Sequence, residues 1–227
     1  MNQQKICTIC DIPIQENYCS RCGQKTSEEP ISTISLITDF LSNFFSIERS
    51  GFATIFKIIL NPKPIVENYY SGFKNYYASP GKILFYGIAV VALHISFVNN
   101  KIMGVSLDVQ NLNSQYLFWI ILFPFLLFIS YLTFIRKTKR LSKHLISLIY
   151  ISSSLFIMLT ILNDLIILLT NDKLGIWAFV IFVVLIFLWN SRVFTDKKNY
   201  LYIVLNTVIQ LTIFMGIVGI LMLITNQ

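Results

Sequence analysis

Charge is scarce in this chain. Only 13% of its 227 residues are Asp, Glu, Lys or Arg, whereas a soluble globular domain carries about a quarter, so there is too little polar material to cover a folded surface against water. Cysteine is restricted as well: all four lie ahead of residue 23, leaving nine-tenths of the chain without a thiol. The first thirty residues are polar and lack the apolar core of a signal peptide, so the first apolar helix must itself direct insertion into a membrane. No G-x-S-x-G, H-E-x-x-H, Walker-type or glycine-rich dinucleotide pattern occurs, which removes the common hydrolase, metalloprotease and nucleotide-binding readings. Nor is there an inverted repeat with paired broken helices, the sequence mark of many transporters.

What the chain does have is apolar runs, in keeping with a hydrophobic share of 55%. They are roughly 16 to 26 residues long, the length a helix needs to cross about 30 Å of hydrocarbon. Five spans follow, at 82–98, 115–135, 145–170, 175–190 and 200–225. Their many Ile, Val and Phe residues favour strands in water. In hydrocarbon a helix wins, because it satisfies every backbone group internally. The expected fold is therefore an all-α membrane protein, its five transmembrane helices preceded by an amino-terminal zinc ribbon and a cytoplasmic amphipathic helix.

Basic residues set the orientation. With the N-terminus in the cytoplasm, every one of the 18 Lys and Arg residues except Lys101 and Lys173 falls on the inner face, as the positive-inside rule requires. The C-terminus then lies outside, and a model with four or six spans would put a basic loop on the wrong side. The net charge of +7 is thereby explained by topology and contact with anionic lipid, and nucleic acid is not an expected partner.

The cysteines form the pattern Cys7-x2-Cys10-x8-Cys19-x2-Cys22. Each C-x2-C pair makes a tight turn that offers two thiolates to one metal, and two such turns complete a closed tetrahedral shell. Structural Zn2+ is the expected cofactor, held by Cys7, Cys10, Cys19 and Cys22; an iron centre and two disulfides are the competing readings. A reducing cytosol disfavours the disulfides. Gly23 suits a positive φ beside the last ligand, and Lys5, Arg21 and Lys25 offset thiolate charge. So short a segment, residues 1–26, draws its folding free energy from the metal.

Residues 27–81 lie between ribbon and membrane. On a helical wheel Ile31, Ile34, Leu36, Ile37, Phe40, Leu41, Phe44, Phe45 and Ile47 fill about half the circle, against Ser, Thr, Asp and Asn on the other half. The region to Leu60 is expected to be helical and amphipathic, packed on the inner ends of the spans or lying in the lipid interface. Asn61-Pro62-Lys63-Pro64 ends it. A tyrosine-rich motif follows, with Tyr70, Gly72, Lys74, Tyr76, Tyr77 and Pro80 as interfacial residues just ahead of the first span.

The ribbon Cys7-x2-Cys10…Cys19-x2-Cys22-Gly23-Gln24, then Asn61-Pro62, then Tyr70-Ser71-Gly72-Phe73-Lys74-Asn75-Tyr76-Tyr77 and Pro80, resembles the bacterial membrane proteins grouped as domain of unknown function 3667. The resemblance covers roughly residues 5–95, and Phe73 stands where the family pattern has Lys. It implies a multi-pass protein of the bacterial inner membrane and supplies no activity.

Inside the spans, His94 and Asp164 are the candidate intramembrane polar site, and Asn163 adjoins it. A carboxylate in hydrocarbon costs at least about 2.5 kcal/mol, so it has a partner or a purpose; Asp164 also counts to about 30 Å above His144, near the outer boundary. Pro124 is expected to kink the second span, and Gly216 and Gly219 to allow close helix approach. With a closed metal site and no clustered acids and bases, the leading expectation is a non-catalytic scaffold or regulatory protein that engages a cytoplasmic protein partner. A small transporter or permease component, homo-oligomeric in form, is the alternative from another class, and a membrane-embedded lipid enzyme a third.

Overall fold

The computed structural model describes residues 5–7, 10–14, 19, 21, 34, 50–72, 77–98, 103, 114–170, 176–195 and 200–225. Near the amino terminus two short strands pair antiparallel: β1 (Lys5–Ile6) and β2 (Pro13–Ile14), with Lys5 opposite Ile14 and Ile6 opposite Pro13. Most of the amphipathic stretch read at 31–49 lies outside the described residues. From Ser50 onward the described chain is helical.

Helix α1 (Ser50–Leu60) stops where Asn61-Pro62 stops it. The same proline then opens α2 (Pro62–Tyr70), since its fixed φ and missing N–H suit the first helical position. The motif is thus a helix start as well as the terminator expected from the sequence, and four of α2's nine residues are buried. Gly72 closes the turn after α2 at φ 93, a conformation that favours glycine. Ser79 and Pro80 start α3 (Pro80–Phe97), the Ser79 hydroxyl accepting from the Lys82 N–H at 3.4 Å.

The remaining helices are α4 (Ser114–Phe134), which contains Pro124, α5 (Leu141–Thr170), α6 (Ile176–Phe194) and α7 (Tyr200–Thr225). Among the described residues α3, α5, α6 and α7 are long and apolar enough to cross a membrane, consistent with a multi-pass membrane protein. The α5 helix begins at Leu141, a turn earlier than the expected span at 145–170, and so takes in His144. Likewise α6 runs to Phe194, past the expected end at 190, and takes in Ser191 and Arg192.

The bundle is organised around α5, which packs on α1, α2, α3, α4 and α6. Of its spanning stretch 67% is buried, against 11% for α7; α5 is the core and α7 the rim. Along α7, Leu201, Val204, Leu205, Val208 and Ile220 are exposed apolar side chains, the surface a helix presents to lipid. Gly216 and Gly219 meet nothing within 4 Å, so no close helix approach within the described bundle uses them. Helices α3 and α5 run parallel. The Tyr150 hydroxyl donates to the Ala78 carbonyl at 2.7 Å just before α3, and His94 meets Asp164 toward the far end of both helices. Lys137, Lys139, Arg140, Lys143 and Arg192 gather where α3 and α5 begin, and this is called the basic end below.

Candidate metal centre and buried polar sites

In the β1–β2 hairpin the Cys7 N–H donates to the Ile12 carbonyl and the Asp11 N–H to the Cys7 carbonyl, both at 2.9 Å. These bonds close the turn that carries Cys7 and Cys10. Asp11 sits at φ 53, a left-handed conformation that Asp tolerates better than most residues; Gly23, where the sequence suits a positive φ, lies outside the described residues. Cys19 reaches the same spot, and the three sulfurs lie within 4.8 Å of one another, with Cys7 and Cys19 buried against Ile14. Thiolates around a tetrahedral ion at about 2.3 Å stand about 3.8 Å apart. The three cysteines are therefore close enough to hold a metal ion; Cys22 lies outside the described residues.

At the basic end, cations and aromatic rings tie the elements together. The Trp189 indole N–H reaches the Ile59 carbonyl at 2.9 Å and Arg192 the Leu60 carbonyl at 3.3 Å, so side chains of α6 satisfy the last carbonyls of α1. In turn Lys137 donates to the Phe194 carbonyl (2.7 Å) and Lys63 to the Thr195 carbonyl (3.2 Å), capping α6. Of the tyrosine motif, Tyr70 accepts a hydrogen bond from Arg140 at 3.1 Å, and this bond raises the guanidinium pKa further above its already high value. Lys57 stands 5.4 Å over the Tyr77 ring, Gly72 and Pro80 are buried, and Lys74 and Tyr76 lie outside the described residues. Buried Tyr69 meets Tyr150 edge-on at 5.7 Å. Tyr69 and Tyr70 thus join α2 to α5 and its preceding loop, and Tyr77 joins α1 to the segment before α3.

The two intramembrane candidates meet. His94 Nδ1 lies 2.6 Å from an Asp164 carboxylate oxygen, with the His94 side chain 1% exposed and that of Asp164 19% exposed. The carboxylate has thereby an ionic or hydrogen-bonded partner across the α3–α5 interface, and it keeps an edge toward the surroundings.

A second polar cluster joins α4, α5, α6 and α7 near the basic end. Asn190 donates to the Ser130 hydroxyl and to the Gln210 amide oxygen, each at 2.9 Å, and accepts from Ser147 at 3.3 Å. Gln210 donates to the Ser191 hydroxyl at 2.7 Å, and Thr207 bonds the same hydroxyl at 3.1 Å. His144 offers Nδ1 to Ser130 at 2.9 Å and Nε2 to the Thr138 carbonyl at 3.3 Å. A carbonyl only accepts, so Nε2 carries a proton; when the ring is neutral Nδ1 is then the acceptor and the Ser130 hydroxyl donates to it. The imidazole also stacks on Phe194, centroids 4.6 Å apart. Nothing in the sequence reading assembled this cluster. Its signal was the recurrence of Asn190, Ser191, Asn206, Thr207 and Gln210 in otherwise apolar runs.

Compared with protein-family models, curated proteins and solved structures, the chain finds no match in any of the three.

Proposed function

We propose that this chain is a five-span integral membrane protein that displays a zinc ribbon to the cytosol and serves as a non-catalytic scaffold or regulator. The single observation that carries the reading is the convergence of Cys7 and Cys10, from the turn of the β1–β2 hairpin, with Cys19. Cys22 supplies the fourth thiolate by the C-x2-C pattern, and a shell of four protein ligands has no open position for a substrate, so the metal's part is structural. Helix α4 is the fifth span, and the basic end faces the cytosol by the positive-inside rule. Most polar groups of the α4–α7 cluster are bonded to one another, which suits a supporting bundle better than an enzyme cavity. The proposal stands on these residues, and the resemblance to domain of unknown function 3667 accords with it.

Zinc analysis of the purified protein is the first test: one zinc per chain is expected, falling below a tenth in Cys7→Ser/Cys10→Ser. Crosslinking in intact cells is the second. A captured cytosolic protein that is lost from the Cys variant, while the bundle still purifies in the membrane fraction, supports the scaffold reading. A metal-free wild type, or an unchanged crosslinking pattern, sinks it.

A further inference from the structure

Ser153, Ser154 and Thr160 on α5 are buried, at 0%, 0% and 2% exposure, and their hydroxyls find no hydrogen-bond partner among the described residues. In an apolar helix such a hydroxyl ordinarily turns back onto the carbonyl four residues earlier, as Ser152 does onto Leu148 at 2.6 Å. An unmade bond away from water costs about 1–3 kcal/mol, and buried polar groups that lack protein partners are commonly served by water.

The positions of these three are not random. At 100° per residue Ser153 and Thr160 share the face of α5 that carries Asp164 toward α3, while Ser154 shares the face that carries Ser147 toward Asn190. The neighbours Ser153 and Ser154 therefore connect the two faces. With 1.5 Å rise per residue, Asp164 to Thr160 is about 6 Å, Thr160 to Ser153 about 10 Å, Ser154 to Ser147 about 10 Å and Ser147 to His144 about 5 Å. A relay along them needs one to three water molecules in each gap. Polar side chains are thus strung along about two-thirds of the central helix, with a partly exposed carboxylate at one end and, at the other, an imidazole whose Nε2–H is bonded to the loop at Thr138.

We propose that the bundle conducts protons along α5. The His94–Asp164 pair takes up a proton from water at its end. The hydroxyls of Thr160, Ser153, Ser154 and Ser147, bridged by water, relay it by donating one proton as they accept another. At the basic end Nδ1 of His144 takes the proton of the Ser130 hydroxyl, which water resupplies from Ser147, while Nε2 gives its proton to a water molecule that takes the place of the Thr138 carbonyl. Each transfer breaks one O–H or N–H bond and forms another, and no electron moves. Among the described residues, the other titratable groups facing the pair's two helices include Lys57 of α1, Tyr69 and Tyr70 of α2, Lys82 and Tyr86 of α3, Tyr131 of α4, and Lys143 and Tyr150 of α5; all lie toward the basic end, two turns or more from His94 and Asp164.

The test uses the full chain reconstituted into vesicles of neutral phospholipid, with a pH-sensitive dye inside and a potassium diffusion potential set by valinomycin. Wild-type protein is expected to raise the proton flux at least tenfold over protein-free vesicles, and Asp164→Asn and His94→Gln to remove most of the increase. Thr160→Val is the variant least open to misfolding, since it deletes a hydroxyl that bonds to nothing described while keeping the side chain's shape. It is expected to leave the melting temperature in place and cut the flux severalfold. A wild-type flux equal to that of empty vesicles overturns the proposal and leaves His94–Asp164 a structural pair. A flux that survives Asp164→Asn and Thr160→Val alike overturns it as well, because the protons then take another route.

Discussion

Replacing Asn190 by Leu tests whether the cluster at the basic end fastens the bundle. The two side chains are close in size, so the perturbation removes hydrogen bonds with little change in volume. Asn190 makes bonds to Ser130, Gln210 and Ser147. Inter-helical hydrogen bonds within membranes average about 0.6 kcal/mol each, so three lost bonds amount to about 2 kcal/mol. The bereft groups add to this. Gln210 and Ser147 are both 0% exposed, and a buried group left without its partner costs about 1–3 kcal/mol where it cannot find another. The expected loss is therefore about 2–4 kcal/mol, read from reversible unfolding in mixed detergent and dodecyl sulfate micelles. Asn206→Leu serves as the comparison, because the Asn206 amide donates to the Thr195 hydroxyl at 3.0 Å, and about 0.6 kcal/mol is expected. In a double-mutant cycle Asn190→Leu and Gln210→Leu should be non-additive, the pair costing less than the sum of the singles. A loss below about 0.5 kcal/mol for Asn190→Leu, or strict additivity with Gln210→Leu, would refute the reasoning.

Gly51 has no room for a side chain: a Cβ there would stand 2.6 Å from the Tyr86 ring. Gly51→Ala is expected to destabilise by about 1–3 kcal/mol, and Tyr86→Ala in the same chain to relieve most of that; failure of the relief in a melting experiment removes the steric account. Trp189→Phe keeps an aromatic side chain but deletes the pyrrole half of the indole, with the N–H that reaches the Ile59 carbonyl; at least about 1 kcal/mol of stability should go, with faster amide exchange in α1 as the local readout. Stripping metal from the purified protein with a chelator should leave the helical circular dichroism nearly intact while residues 5–22 become sensitive to protease, since their fold rests on the ion and the bundle's does not. Simultaneous loss of helical signal would contradict this.

Apolar runs located α3 to α7 to within about one helical turn, because length and hydropathy are local properties. The ends were harder. His144 reads as a loop residue beside Lys143 and Arg140, and only the ring of Phe194 and the hydroxyl of Ser130 from other helices explain its place inside α5. His94 and Asp164 could be singled out one by one, because ionisable groups are rare in such runs, yet their contact spans 70 positions and depends on α3 and α5 running parallel. The Asn190–Gln210 cluster was invisible for a related reason. Ser, Thr, Asn and Gln weigh little in a hydropathy sum, and which of them face inward depends on partners a linear reading cannot place. The Pro62 start of α2 was legible in principle, since proline both ends helices and opens them, and the reading used only half of the rule.

The central position of α5 carries a consequence for biosynthesis. A ribosome delivers helices in chain order, so α5 is in the bilayer while the carriers of Asn190 and Gln210 are still unmade. Until α6 and α7 arrive, Ser147 lacks the amide that Asn190 brings, and Asn190 in turn waits for Gln210. The peripheral, mostly lipid-facing last helix is thus the one that completes the hydrogen bonding of the middle, and a nascent protein cut before Tyr200 would hold its helices without the latch that fixes them side by side.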